Sequence, residues 1–178
     1  MKIESPAFTI DDIRSFMASY REHERQGLAT RLEEVSQRLK SLGSRIASAS
    51  PPSEGNTVAG GWNAHEVLAH IAVVSKFYGV LVHRIASGKV TEFDLLENVH
   101  MRDAAGQQMA ELDDEQLIRS AVADQQRTVE ALRGLDLEAL SRSAHLDEKV
   151  TMSAEEVARL PLIAHLELHL EQLEDRLA

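Results

Sequence analysis

The chain has no cysteine. That excludes a disulfide framework, a thiolate zinc knuckle and a cysteine nucleophile, so histidine, aspartate and glutamate are left to hold any metal ion. Aromatic residues make up only 4% of a chain that is 43% hydrophobic. A core must therefore be built from Leu, Ile, Val and Ala, a composition that favours helices over sheets. The opening MKIESPAFTIDD has no apolar stretch of signal-peptide length, and no apolar run approaches the roughly twenty residues of a membrane span. A cytoplasmic protein without membrane contact is expected. Positive charge is also scarce: the net charge is −10 and the pI about 5.2, with the basic residues scattered rather than gathered in a stripe. Such a surface repels phosphate backbones, which excludes nucleic acid as a partner.

What is present reads as helix. The 178 residues suit one domain over 1–178, long enough to bury well over half of the surface its unfolded chain exposes. Four places carry a polar cap between an apolar residue just before it and another four residues after it. They are Phe8-Thr9 with Asp12 and Ile13, Trp62-Asn63 with Glu66 and Val67, Leu112-Asp113 with Gln116 and Leu117, and Met152-Ser153 with Glu156 and Val157. The last three complete a capping box.

Behind each start, apolar residues recur at spacings of three and four. Leu28, Leu32, Val35, Leu39, Leu42 and Ile46 form one stripe, stopped by SASPPSEG; Ile13, Met17 and Tyr20 extend it upstream. A continuous helix over 10–48 would be about 58 Å long, so a break or kink near Gly27 is expected. The second helix is predicted over Asn63–Ser87, with Val67, Ile71, Val74, Tyr78, Leu81 and Ile85 inward and Gly88 past its end. The third should run from Asp113 to Arg133, with Ile118, Ala121, Gln125, Val129 and Leu132 on one side and Gly134 as its stop. The fourth should run from Ser153 almost to the C-terminus, with a kink or a late start at Pro161. No alternating run bounded by hairpin signals is visible. The fold class is therefore all-α, an antiparallel four-helix bundle with a long crossover between helices 2 and 3. That crossover is predicted to contain a short helix over 93–107 and to wall a site, with Glu97, Asn98 and Arg102 as candidate substrate contacts against a reading as solvated loop polarity.

Three histidines stand out. His165 and His169 are four residues apart, about 40° apart on one helix face, so one metal can take both. Leu162, Leu166, Leu173 and Leu177 make that face apolar, and His70 follows Val67 on the inward stripe of the second helix. Three protein ligands would leave the open position of a catalytic site. His65-Glu66 with His70 resembles H-E-x-x-H, but a spacing of five puts the two rings about 140° apart, too far to share an ion. A histidine on an apolar helix face is more often a hydrogen-bonded core residue than a ligand, and H-x-x-x-H arises readily by chance among eight histidines. Spacing alone leaves both readings open. His23, His83, His100 and His145 read as surface or loop residues, and Glu167 and Glu171 as solvated charge.

Taken in order, GGWNAHEVLAHIA, the segment EFDLLENVHMRDAAGQQMAELDDEQLIRS and HLELHLEQLE resemble the DinB-like (YfiT-like) metal-dependent enzymes. The branch most similar contains the N-terminal domains of mycothiol-dependent maleylpyruvate isomerases. The resemblance implies a divalent metal, zinc or nickel, at His70, His165 and His169. It further implies a transfer or isomerisation on a small-molecule electrophile, using a low-molecular-weight thiol such as mycothiol or bacillithiol. It also implies a homodimer, to which the apolar residues of the first and fourth helices, Leu166, Leu168 and Leu170 especially, add a belt running almost around the helix. The rival readings are a metal-dependent hydrolase and a non-catalytic helical module that binds a small molecule or a partner.

Overall fold

Three capping boxes set where the long helices begin. The side chains of Asn63, Asp113 and Ser153 each accept the backbone N–H three residues on, and Glu66, Gln116 and Glu156 return the bond to the cap N–H. Each box satisfies donors that a helix start otherwise leaves open, at about 1 kcal/mol per cap. The computed structural model describes residues 10–48, 63–94, 108–109, 111–147 and 150–177. In chain order these form α1 (Ile10–Ser48), α2 (Ala64–Ala86), α3 (Asp114–Gly134), α4 (Leu137–Ser141), β1 (Ser143–Asp147), β2 (Val150–Ser153) and α5 (Ala154–Val157). A π-helical stretch, Ala158–Ala164, then runs directly into α6 (His165–Arg176).

The inward residues expected of α2 are all buried, and Gly88 past its end has the positive φ of 70° that glycine adopts without strain. α2 is also long and apolar enough to cross a bilayer, but most of it is buried within the protein. It is the central core helix. α1 differs from expectation: it continues as α-helix through Gly27 without a break. Contacts on either side of the glycine hold it. Arg25 Nη1 donates to the carbonyls of Arg133 at 2.5 Å and Leu135 at 2.9 Å, capping the end of α3. Arg31 and Arg38, one heptad apart, make paired hydrogen bonds to Glu167 and Glu174 of α6. Glu167 is thus an ion-pair partner, where free solvated charge was expected. The Thr9 cap and the side chains of Ile13, Met17 and Tyr20 lie outside the described residues.

The same contacts give the directions of the helices. Arg25 meets the end of α3 while Gly43 lies against Ile118, so α1 and α3 are antiparallel. His65 meets Asp114 and Ser75 meets Gln125, so α2 and α3 run the same way. They approach tightly at Gly79, where a Cβ would come within 2.4 Å of Thr128 Oγ1. Between the four long helical segments lies a contiguous apolar core, with Leu32, Leu39, Leu68, Ile71, Leu117 and Leu132 among its fully buried members. Leu166 and Leu170 belong to this core at 0% exposure, whereas Leu168 is 52% exposed, so no apolar belt surrounds α6.

The hairpin is the main departure from the predicted elements. β1 and β2 pair antiparallel, Ser143 with Ser153 and His145 with Thr151, and Glu92 bridges to His145 alongside. Phe93 donates its backbone N–H to His145 O at 2.7 Å. The start of the crossover is therefore tied to β1 and is not helical at Phe93 and Asp94; the rest of the helix predicted over 93–107 lies outside the described residues. Ala144 and Leu146 are buried, each 1% exposed, while Ser143 and His145 face outward, the period-two pattern of a half-buried strand.

Candidate metal centre

Two helices deliver the three histidines. His70 sits in the second turn of α2, placed by the Asn63 cap; His165 and His169 open α6. The π-helical stretch just before His165 contains Pro161, whose missing N–H an ordinary helix cannot use. π-helical turns absorb such irregularities and recur at functional sites. Pro161 therefore neither ends the helix nor delays its start.

One potential ligand nitrogen from each of the three rings lies within 4.8 Å of the other two. His70 Nε2 and His165 Nε2 are 3.3 Å apart. The ring centroids are separated by 5.2 Å for His70 and His165, 4.5 Å for His70 and His169, and 4.7 Å for His165 and His169. Two nitrogens bound tetrahedrally at about 2.05 Å to one zinc ion lie about 3.3 Å apart. The spacing in this protein fits that requirement. His169 is buried at 8% exposure, and its Nδ1 lies 2.8 Å from Gln172 Oε1. Burial pushes its pKa below the ordinary imidazole value, partly opposed by the Gln172 bond. The neutral form that a metal needs is therefore favoured.

Aromatic residues flank the cluster on one side. The Tyr78 ring lies 6.4 Å from that of His165, Phe77 packs edge-on against Tyr78, and Phe93 against Phe77 at 5.8 Å. This chain of contacts links the cluster to the first residues of the crossover. Glu97, Asn98, Arg102 and His100 lie outside the described residues. His65 stands apart from the cluster: its Nδ1 contacts Asp114 Oδ1 at 2.5 Å, joining the first turns of α2 and α3. His23, His83 and His145 are exposed. Gln172 is part of the HLELHLEQLE motif, which by itself assigns it no role of its own; it lies three residues, one helical turn, beyond His169.

Helices that bring three imidazoles to one point define a helical protein with a histidine site suited to a divalent metal. A family model, that of the DinB superfamily, matches residues 27–173. The chain belongs to the DinB superfamily, whose members bind metals. The matched span includes all three histidines and Gln172. No curated protein and no solved structure matches the chain.

Proposed function

We propose that the protein is a metal-dependent enzyme of the DinB type, in which His70, His165 and His169 hold one divalent ion, zinc or nickel. The observation that carries this reading is the 3.3 Å separation of His70 Nε2 and His165 Nε2, with a His169 nitrogen inside the same 4.8 Å cluster. In this reading α1, α2, α3 and the last helix close as a four-helix bundle of one domain, and the segment between α2 and α3 crosses over beside the site. Bound there, a divalent ion would supply Lewis acidity, lowering the pKa of a thiol or water that it takes up.

The chain's own part is to hold, orient and dry the site. Three neutral imidazoles leave an open position and add no negative charge, which favours an anionic incoming group such as a thiolate. Burial around His169 reduces competing water, and Tyr78, Phe77 and Phe93 offer an apolar wall for a small electrophile. The reaction we favour is therefore transfer to, or isomerisation of, such an electrophile with a low-molecular-weight thiol like mycothiol or bacillithiol. A cytoplasmic homodimer completes the reading, with Leu160 and Leu168, 60% and 52% exposed, among the exposed apolar residues that could pair.

The test is metal content and zinc titration of untagged protein, followed by assays with and without added thiol. About one ion per chain and thiol-dependent turnover are expected. Turnover without thiol would indicate a hydrolase, and failure to bind any divalent ion would overturn the reading. A sedimentation mass that stays at the 19.7 kDa of one chain would remove the dimer.

A further inference from the structure

We infer that Gln172 is a positioning residue of this centre, which fixes the tautomer of His169 and thereby selects Nε2 as its ligand nitrogen. The inference rests on the metal reading above. It starts from the 2.8 Å contact between His169 Nδ1 and Gln172 Oε1, one turn along α6. An amide oxygen only accepts, so His169 Nδ1 must carry the hydrogen and donate it. The neutral ring then has its lone pair on Nε2, the same nitrogen through which His70 and His165 face each other.

The amide group makes the choice reversible. Rotated by half a turn, Gln172 would present its NH₂ group, Nδ1 would accept, and the proton would move to Nε2, blocking coordination. The oxygen-inward orientation is the one compatible with a three-imidazole site. Unlike an aspartate or glutamate in this position, glutamine adds no charge, so it orients the ring without neutralising the ion. Gln172 is itself exposed while His169 is buried, so changing it should leave the core undisturbed.

The experiment compares wild type, Gln172→Leu and Gln172→Glu by zinc titration against a competing chelator. It adds nitrogen-15 spectra of the histidine rings in metal-free protein, recorded above the imidazole titration range. Wild type should show His169 as the Nδ1–H tautomer. Gln172→Leu should lose that preference and bind zinc about 10- to 100-fold more weakly, the usual cost of removing such an outer partner. Gln172→Glu should keep the tautomer and bind at least as tightly as wild type. Equal zinc affinity in wild type and Gln172→Leu would overturn the inference, and so would an Nε2–H tautomer in wild type. Were wild type to take up no zinc, the metal reading would fail, and the ring spectra alone would then decide whether Gln172 fixes the tautomer. Matching metal-free melting curves show that a lost affinity is not a lost fold.

Discussion

Replacing His169 by alanine should uncouple metal from stability. A metal bound only by the folded chain stabilises it by about 2.7 kcal/mol when free metal stands at a hundred times its dissociation constant. For a chain of 178 residues, each kcal/mol moves the melting temperature by roughly 2–4 °C, so chelation should lower it by about 5–11 °C. His169→Ala should lose most of that response while keeping its helical content, because Leu166, Leu170 and Leu173 around it remain fully buried. The assay is a circular-dichroism melt of both proteins, each in zinc and in EDTA. The pH dependence has a definite sign. Burial lowers the His169 pKa in the folded state, so between that lower value and the ordinary value of about 6.5 the unfolded chain binds more protons. Stability from this group is therefore present above about pH 6.5 and is lost as pH falls through that value towards the folded one. Zinc needs the same neutral ring, so the chelator-sensitive shift should shrink in the same direction. An equal EDTA response in both proteins, or a shift that grows on acidification, would refute the role of His169.

Other sites separate the centre from the scaffold. His65→Ala should leave zinc affinity unchanged in the same titration, because His65 pairs with Asp114 and is not one of the three clustered histidines. Ser153→Ala should cost about 1 kcal/mol in urea denaturation by removing the cap before α5. Gly79→Ala should destabilise by roughly 1–3 kcal/mol through overpacking, less about 1 kcal/mol of gained helix propensity; its Cβ would meet Thr128 Oγ1 at 2.4 Å, and adding Thr128→Ala should recover most of the loss.

The sequence was most legible where a local rule and a burial pattern agree. The caps at Asn63, Asp113 and Ser153 depend only on residues three apart. The bounds of α2 followed, because its stripe ends at Gly88. The histidine cluster was half local: His165 and His169 share a face by spacing, but their meeting with His70 depends on how two helices pack. The misses are cases where tertiary contact outweighs local signal. Gly27 costs α1 about 1 kcal/mol of helix propensity, while Arg25 and Arg31 tie the chain on either side of it to other helices. The hairpin over 143–153 offers only two short apolar alternations, Ala144 with Leu146 and Val150 with Met152, and Asp147-Glu148-Lys149-Val150 contains no Gly, Asn or Pro to announce a turn.

The last helix did carry a readable signal for its irregularity. Ala154, Ala158, Leu162, Leu166 and Leu170 are all buried, each at 1% exposure or less, in four successive steps of four. In a regular α-helix each such step drifts by about 40°, so the stripe would turn by about 160° and could not stay inward. Longer i→i+5 turns hold more residues and take up that drift, and the π-helical stretch Ala158–Ala164 lies in the middle of the run. Pro161 fits there because the helix already departs from the i→i+4 ladder, in which its missing N–H would cost most. The register of His165 and His169 follows from this: His165 comes directly after the π-helical stretch and His169 one turn later, on the side that meets α2. Without the extra turn width, keeping Leu166 and Leu170 inward would rotate Ala154 and Ala158 out of the core. The proline and the run of fours thus belong to one device, which keeps the whole last helix packed while aiming its histidines at His70.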